Sequence, residues 1–311
     1  MSLNPVVAVL PNPQPEYLAA VALGGGVAAD LGETTNGLVW TDSSDSESLA
    51  KILESHPNIS WVQLPFAGVD NFRSVFDREL LRAHTRIFTS AKGAYREPVA
   101  EHALMFALSL ARVLPERLAA KSWGRKYADT LFDANVLIVG GGGIAQEIAR
   151  LLTPFRSRVT IVRKHDGAVE GAELTLPFDA LDTALANADF VFLAAALTDE
   201  TFGLFDANKF ALMKPSAYLV NIARGAMVVS ADLEKALRSG QIAGAGIDVT
   251  DPEPLPDGHS LWGCPNLIIT PHTADTPEMC IRLLSERIVA NVGALITENP
   301  LSGEVNLKLG Y

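Results

Sequence analysis

Three residues in the second half of the chain could together handle a small anion and a proton: Arg224, Glu253 and His272. Each stands at the end of a strand-like segment, the runs 218–225, 246–256 and 267–272. An arginine is permanently cationic and can give a carboxylate two parallel hydrogen bonds. An imidazole exchanges a proton near neutral pH, and a carboxylate beside it stabilises the imidazolium. Taken singly, each has a plainer reading: a surface charge, a loop glutamate between prolines, a capping histidine. What binds them together is a glycine-rich turn upstream, in the run 136–145. A dinucleotide site followed by a cation, an acid and an imidazole points to hydride transfer coupled to proton transfer.

In that turn Gly140, Gly142 and Ala145 fit the spacing G-x-G-x-x-G/A between an apolar strand and a helix. The first glycine permits the tight turn, the second lets the backbone approach a pyrophosphate, and the small third residue lets helix and strand pack closely. Gly143 and Ile144 then open the helix whose free N–H groups favour anions. By contrast, the triplet 24–26 precedes no such helix and reads as a plain turn. Which dinucleotide binds depends on the end of the next strand, where an acid takes the ribose 2′-hydroxyl of NAD and an arginine accommodates the 2′-phosphate of NADP. The strand 158–162 runs into Arg163, Lys164, His165 and Asp166. The expectation is NADP(H) preferred over NAD(H). The alternative is that Arg163 and Lys164 are solvated charges and Asp166 takes the ribose.

The elements that must position these residues alternate strand and helix. Strand-like runs at 6–10, 38–40, 59–64 and 86–89, with a helical spacing at 46–55, predict a small parallel-sheet domain in residues 1–95. Stronger runs at 134–139, 158–162, 190–193, 218–221, 243–248 and 267–270 predict a six-stranded doubly wound domain over 96–274. Helices are expected at 144–152 and at 231–239, the latter capped by Ser230. A long amphipathic helix is expected over 276–296, and the segment 275–311 is expected to return to the first domain.

Composition narrows the class. The chain has 311 residues, 48% hydrophobic and 20% charged, which suits a globular protein of two domains. A net charge of −11 argues against nucleic acid or an anionic membrane as partner. The longest apolar stretch, 99–114, contains Glu101, His102 and Arg112, so a buried or interface helix is expected rather than a membrane span. His102 is read as interface or core rather than catalytic. Cys264 and Cys280 show no metal spacing and no disulfide framework, and the N-terminus shows no signal-peptide pattern, so a cytoplasmic protein is expected.

The glycine turn, the runs 219–225, 248–256 with Leu261 and Trp262, and 265–272, taken in this order with 99–104 and the ending 299–311, resemble the D-isomer-specific 2-hydroxyacid dehydrogenase family. The resemblance covers nearly the whole chain. It implies an α/β fold of two doubly wound parallel-sheet domains, a Rossmann cofactor domain inserted into a flavodoxin-like substrate domain, with the active site in the cleft between them. It implies that Arg224 binds the substrate carboxylate and C2 oxygen, His272 is the general acid/base and Glu253 its partner. Asp248 is expected at the nicotinamide carboxamide, or else as a turn cap, and Thr198 beside the cofactor, although Ala196 replaces the family's usual proline. Ala67, Gly68 and Val69 match the loop whose backbone N–H groups hold the substrate carboxylate, with Leu64 and Phe66 as an apolar wall. Tyr95 departs from the family's small polar residue. The implied reaction is hydride transfer between NADP(H) and a small 2-keto or D-2-hydroxy acid, glyoxylate or hydroxypyruvate first, in a homodimer. Phosphoglycerate dehydrogenase of the same family and a non-catalytic dinucleotide sensor on the same fold remain as alternatives. Formate dehydrogenase is disfavoured because that relative carries Gln at the position of Glu253.

Overall fold

The computed structural model of the protein describes residues 4–82, 86–165 and 167–310. The chain divides into two compact units, Met1–Tyr95 with Thr276–Tyr311, and Arg96–Asp275. In chain order the first unit contains β1 (Val6–Leu10), α1 (Pro15–Leu23), β2 (Val27–Ala28), β3 (Gly37–Trp40), α2 (Ser46–Ser55), β4 (Trp61–Gln63), α3 (Arg73–Leu80) and β5 (Ile87–Thr89). The second begins with α4 (Arg96–Ala111), α5 (Leu114–Ala119), β6 (Asn135–Val139), α6 (Gly143–Leu152), β7 (Arg158–Arg163) and β8 (Leu174–Pro177). It continues through α7 (Leu181–Leu185), β9 (Phe190–Leu193), α8 (Ala207–Leu212), β10 (Tyr218–Asn221), α9 (Ser230–Ser239), β11 (Gly244–Ile247) and β12 (Leu267–Ile269). Helix α10 (Pro277–Thr297) belongs to the first unit again.

The first unit is a five-stranded parallel sheet in the order β2-β1-β3-β4-β5, the flavodoxin-like arrangement. Its core is filled by Trp40, Phe72, Phe76 and Phe88, all essentially inaccessible. Helix α10 starts at Thr276, whose side chain accepts from the Met279 N–H. Its Asn291 is buried and donates to Gln63 Oε1 at 2.9 Å, tying the helix to β4. Gly24, read from sequence as part of a plain turn, has a second role: a Cβ there would stand 2.7 Å from Val292 Cβ, so the missing side chain admits α10.

The second unit is a seven-stranded parallel sheet in the order β12-β11-β10-β9-β6-β7-β8. Every residue of β9, β10 and β11 is buried, and strands covered on both faces read as unbroken apolar runs, which is why they stand out in the sequence. Strand order reverses between β6 and β9, the switch point at which doubly wound sheets bind ligands. Helix α4 buries Val99, Ala103, Phe106 and Leu110. Gly246 on β11 makes room for it, since a Cβ there would lie 2.6 Å from Phe106 Cγ.

Three expectations need correction. The second unit has a seventh strand, β8, which was not foreseen: it is a half-exposed edge strand that ends in proline, so it carries neither an apolar run nor a clear alternation. The apolar stretch at 99–114 is not one helix, because α4 spans Arg96–Ala111 and Val113, at φ +49°, separates it from α5. Ser230 is not a helix cap: it is the first residue of α9, and its hydroxyl donates to the Asp251 carbonyl at 3.1 Å. No helix among the described residues is long and apolar enough to cross a membrane.

Candidate active site

The glycine-rich turn joins β6 to α6 beside the switch point. Gly140 has φ +109°, and a Cβ there would run into the backbone of Ala194 at the end of β9. Its N–H donates to the Val162 carbonyl at 2.8 Å, which fixes the turn to β7. Gly142 precedes α6, and a Cβ built on it meets nothing within 4 Å. Ala145 is fully buried, as the close packing of helix on strand requires. A tight turn, open space at the second glycine and a ten-residue helix with free first-turn N–H groups fit a pyrophosphate. Gly143 and Ile144 are the first residues of that helix.

Arg163 ends β7 and lies along the turn, with its Cδ 2.9 Å from where a Cβ on Gly141 would stand. Lys164 forms an ion pair with Glu200 of the loop after β9, at 2.8 Å. Asp166, the alternative ribose ligand, lies outside the described residues. Thr198 sits in that same loop after β9, where its N–H donates to Thr201 Oγ1 at 2.8 Å and its carbonyl accepts from the Thr201 N–H.

Arg224, Glu253 and His272 follow three adjacent strands, β10, β11 and β12. Asn221, the last residue of β10, shapes the Arg224 turn: its amide donates to the Arg224 carbonyl at 3.0 Å and accepts from the Ala223 N–H at 3.1 Å. The Arg224 guanidinium donates to the Ala223 carbonyl at 2.8 Å. Gly225 then presses on the next loop so closely that any Cβ would overlap the Thr250 carbonyl. The Thr250 N–H in turn points to Glu253 Oε2 at 3.4 Å. Glu253 Oε1 accepts from His272 Nδ1 at 2.6 Å, with the two side chains 42% and 47% exposed. A carboxylate only accepts, so Nδ1 carries a proton and Nε2 is left to exchange one with a bound molecule.

Asp248 holds the last of these loops. Its carbonyl accepts from the His272 N–H at 2.8 Å, its Oδ1 from the Thr273 N–H at 2.9 Å and its Oδ2 from the Ala274 N–H at 3.0 Å. The carboxylate is 2% exposed. His272 has φ +50°, a conformation that costs a non-glycine residue roughly 1–2 kcal/mol and persists only where neighbours overdetermine it. His102 lies against the same carboxylate rather than at the exposed trio, with its Nε2 2.9 Å from Thr270 Oγ1.

In the first unit, the loop after β4 carries Ala67, Gly68 and Val69. Tyr95 is buried and its hydroxyl donates to the Pro65 carbonyl at 2.6 Å, while its ring meets the edge of Phe66. The Ala91 N–H donates to the Phe66 carbonyl at 3.1 Å.

Asn221, Gly225 and Thr270 are structural parts of the site that the sequence does not announce. The signal for Asn221 is one amide in an otherwise apolar strand. For Gly225 it is a glycine directly after the arginine. For Thr270 no local signal exists, since its partners are 22 and 168 residues away.

The family model described as "D-isomer specific 2-hydroxyacid dehydrogenase, NAD binding domain" matches residues 103–274, which contain the glycine turn and all three candidate catalytic residues. The chain belongs to the D-isomer specific 2-hydroxyacid dehydrogenase family. Among curated relatives of this dehydrogenase, an "Uncharacterized protein in proB 3′region" of Corynebacterium melassecola is 36% identical over 260 residues, 82% of this chain and 84% of that one. The human "Glyoxylate reductase/hydroxypyruvate reductase" is 34% identical over 220 residues, 68% of this chain and 67% of that one. Among solved structures, a D-isomer specific 2-hydroxyacid dehydrogenase from Xanthobacter autotrophicus Py2 in complex with NADPH and MES superposes with a TM-score of 0.84 at 26% identity. It covers 99% of this chain and 100% of that one. The protein is therefore an oxidoreductase of the 2-hydroxyacid dehydrogenase class that uses a nicotinamide dinucleotide.

Proposed function

We propose that this dehydrogenase reduces a small 2-keto acid, glyoxylate or hydroxypyruvate, to the D-2-hydroxy acid with NADPH as the preferred cofactor. The observation that carries this reading is the 2.6 Å contact between His272 Nδ1 and Glu253, which leaves Nε2 to a bound molecule, while the Glu253 loop packs at Thr250 on Gly225, the residue after Arg224. Arg224 binds the carboxylate and steadies the negative charge that grows on the C2 oxygen. His272 Nε2 gives its proton to that oxygen and is refilled from solvent, with Glu253 stabilising the imidazolium form. The nicotinamide, when bound, supplies the hydride to C2. Gly140, Gly142, Gly143 and Ile144 hold the pyrophosphate, with Thr198 and Asp248 nearer the nicotinamide. For Ala67, Gly68 and Val69 of the first unit, the proposed role is backbone N–H groups that take a carboxylate.

The choice of NADPH rests on Arg163, whose guanidinium stem runs along the glycine turn and whose fork suits a 2′-phosphate. Lys164 reinforces the local positive potential in part only, because Glu200 pairs with it. The similarity to the human glyoxylate/hydroxypyruvate reductase and to an NADPH-bound relative supports both choices. Steady-state oxidation of NADPH and of NADH with glyoxylate, hydroxypyruvate, pyruvate, phenylpyruvate and phosphohydroxypyruvate tests them. A best rate with phosphohydroxypyruvate and NADH would replace this reading with a phosphoglycerate dehydrogenase. Cofactor binding without turnover on any acid would favour a sensor.

A homodimer belongs to the same proposal. Leu118 on α5 and Trp123 in the segment after it are 76% and 91% exposed, apolar surface that a second copy would cover. Light scattering of the Trp123→Glu variant should show a monomer; a wild-type protein that is itself monomeric removes the idea.

A further inference from the structure

His102 takes no part in the acid–base chemistry, yet it is the outermost member of a part-buried chain of polar contacts that runs through Thr270 to the Asp248 carboxylate and ends on the N–H groups of Thr273 and Ala274, the residues that follow His272. Its side chain is 15% exposed. Its ring stands edge-on to Phe106, 4.7 Å between centroids. Nε2 lies 2.9 Å from Thr270 Oγ1 and 3.5 Å from Asp248 Oδ1. Thr270 Oγ1 lies 2.5 Å from the same Asp248 oxygen.

The direction of these bonds follows from counting protons. Asp248 accepts from the Thr273 and Ala274 N–H groups, so its carboxylate acts as an acceptor throughout. The Thr270 hydroxyl has one proton, and the shorter contact commits it to Asp248. The hydroxyl oxygen must then accept from His102, whose Nε2 therefore carries the proton. The order is His102 Nε2–H to Thr270 O–H to Asp248. Each member removes a rotational alternative from the next, which is how a connected network specifies one arrangement.

We propose that His102 is a positioning residue for the acid–base step: by donating to Thr270 it fixes the Asp248 carboxylate, which through the Thr273 and Ala274 N–H groups holds the turn that keeps His272 in its left-handed backbone conformation. The inference rests on the reading of His272 as the proton donor. It does not place His102 against substrate. Without the imidazole, the Thr270 hydroxyl is free to rotate and Asp248 loses its lateral restraint. His272 then relaxes from φ +50°, and its Nε2 leaves the line of proton transfer. Small misplacements of this kind cost large factors in rate.

The test uses the intact enzyme at saturating NADPH, with kcat and the pH profile of kcat/KM measured for His102→Leu, His102→Gln and Thr270→Val. His102→Leu and Thr270→Val should each lower kcat by about tenfold and move the pH midpoint of kcat/KM. Their double variant should be no worse than either single one, because both cut the same chain. His102→Gln, which keeps a donor near the Nε2 position, should stay close to wild type. The role of His102 is overturned if His102→Leu, or Thr270→Val where the leucine variant does not fold, keeps the wild-type kcat and midpoint. A loss of rate that only tracks the folded fraction, with the midpoint unmoved, overturns it equally. A wild-type profile that does not change when His272 is replaced overturns the acid–base reading and this inference together.

Discussion

His272 Nδ1 and Glu253 Oε1 stand 2.6 Å apart although their loops follow different strands, β12 and β11, and both side chains remain nearly half exposed. The contact is built by the backbone. Asp248 grips residues 272–274, and the Thr250 carbonyl sits where a side chain on residue 225 would be. An exposed pair contributes little to stability but decides which imidazole nitrogen faces a bound substrate.

Replacing Glu253 by Gln separates orientation from charge. The amide oxygen can still accept from Nδ1, while the stabilisation of the imidazolium is lost. We expect kcat for 2-keto acid reduction to fall by about tenfold to a hundredfold with the melting temperature unchanged. Steady-state kinetics together with calorimetry checks this; a variant with wild-type kcat would deny Glu253 its part.

Arg163→Asp should turn the cofactor preference around. A hydrogen bond to a charged group is worth roughly 1.5–3 kcal/mol, so kcat/KM for NADPH should drop by about tenfold or more while NADH is spared or improved. An equal loss with both cofactors would mean that Arg163 supports the turn without reading the 2′-phosphate.

The parts of this site that were legible in the sequence are those written in one local stretch. Gly140, Gly142 and Ala145 have a spacing that only a strand–turn–helix satisfies, and the buried strands from β9 to β11 are continuous apolar runs. Arg224, Glu253 and His272 were visible as strand-end residues in a family order. What could not be read was contact between distant segments: Gly225 against Thr250, Lys164 against Glu200, and His102 reaching Asp248 through Thr270. Strand β8 escaped because a half-exposed edge strand with a terminal proline resembles a loop.

Gly225→Ala tests the first of those contacts. A methyl group has no space beside the Thr250 carbonyl, so the two loops must separate. The expected cost is about 1–3 kcal/mol in denaturant unfolding, with a loss of activity larger than the loss of folded protein. A variant as active as wild type would show that the approach of the loops is not needed for the site.

The half-buried His102 also makes a pH signature. Burial holds it below the ordinary imidazole value of 6.5, opposed in part by the charge of Asp248. The unfolded chain then binds the proton more readily than the folded one, so the contribution is fully present above pH 6.5 and is lost as the pH falls through the lower folded value. Melting temperatures between pH 7.5 and pH 5, about a unit or more either side of that value, should decline less for His102→Gln than for wild type. Parallel declines would place the acid sensitivity elsewhere.

One measurement tests directly whether His272 moves the proton: NADPH oxidation by wild type and His272→Ala with glyoxylate and hydroxypyruvate, alongside NADPH binding followed by fluorescence. With His272 as the proton donor, turnover in the variant should fall by about a hundredfold to ten-thousandfold with cofactor affinity intact. Retained turnover in the alanine variant would contradict it.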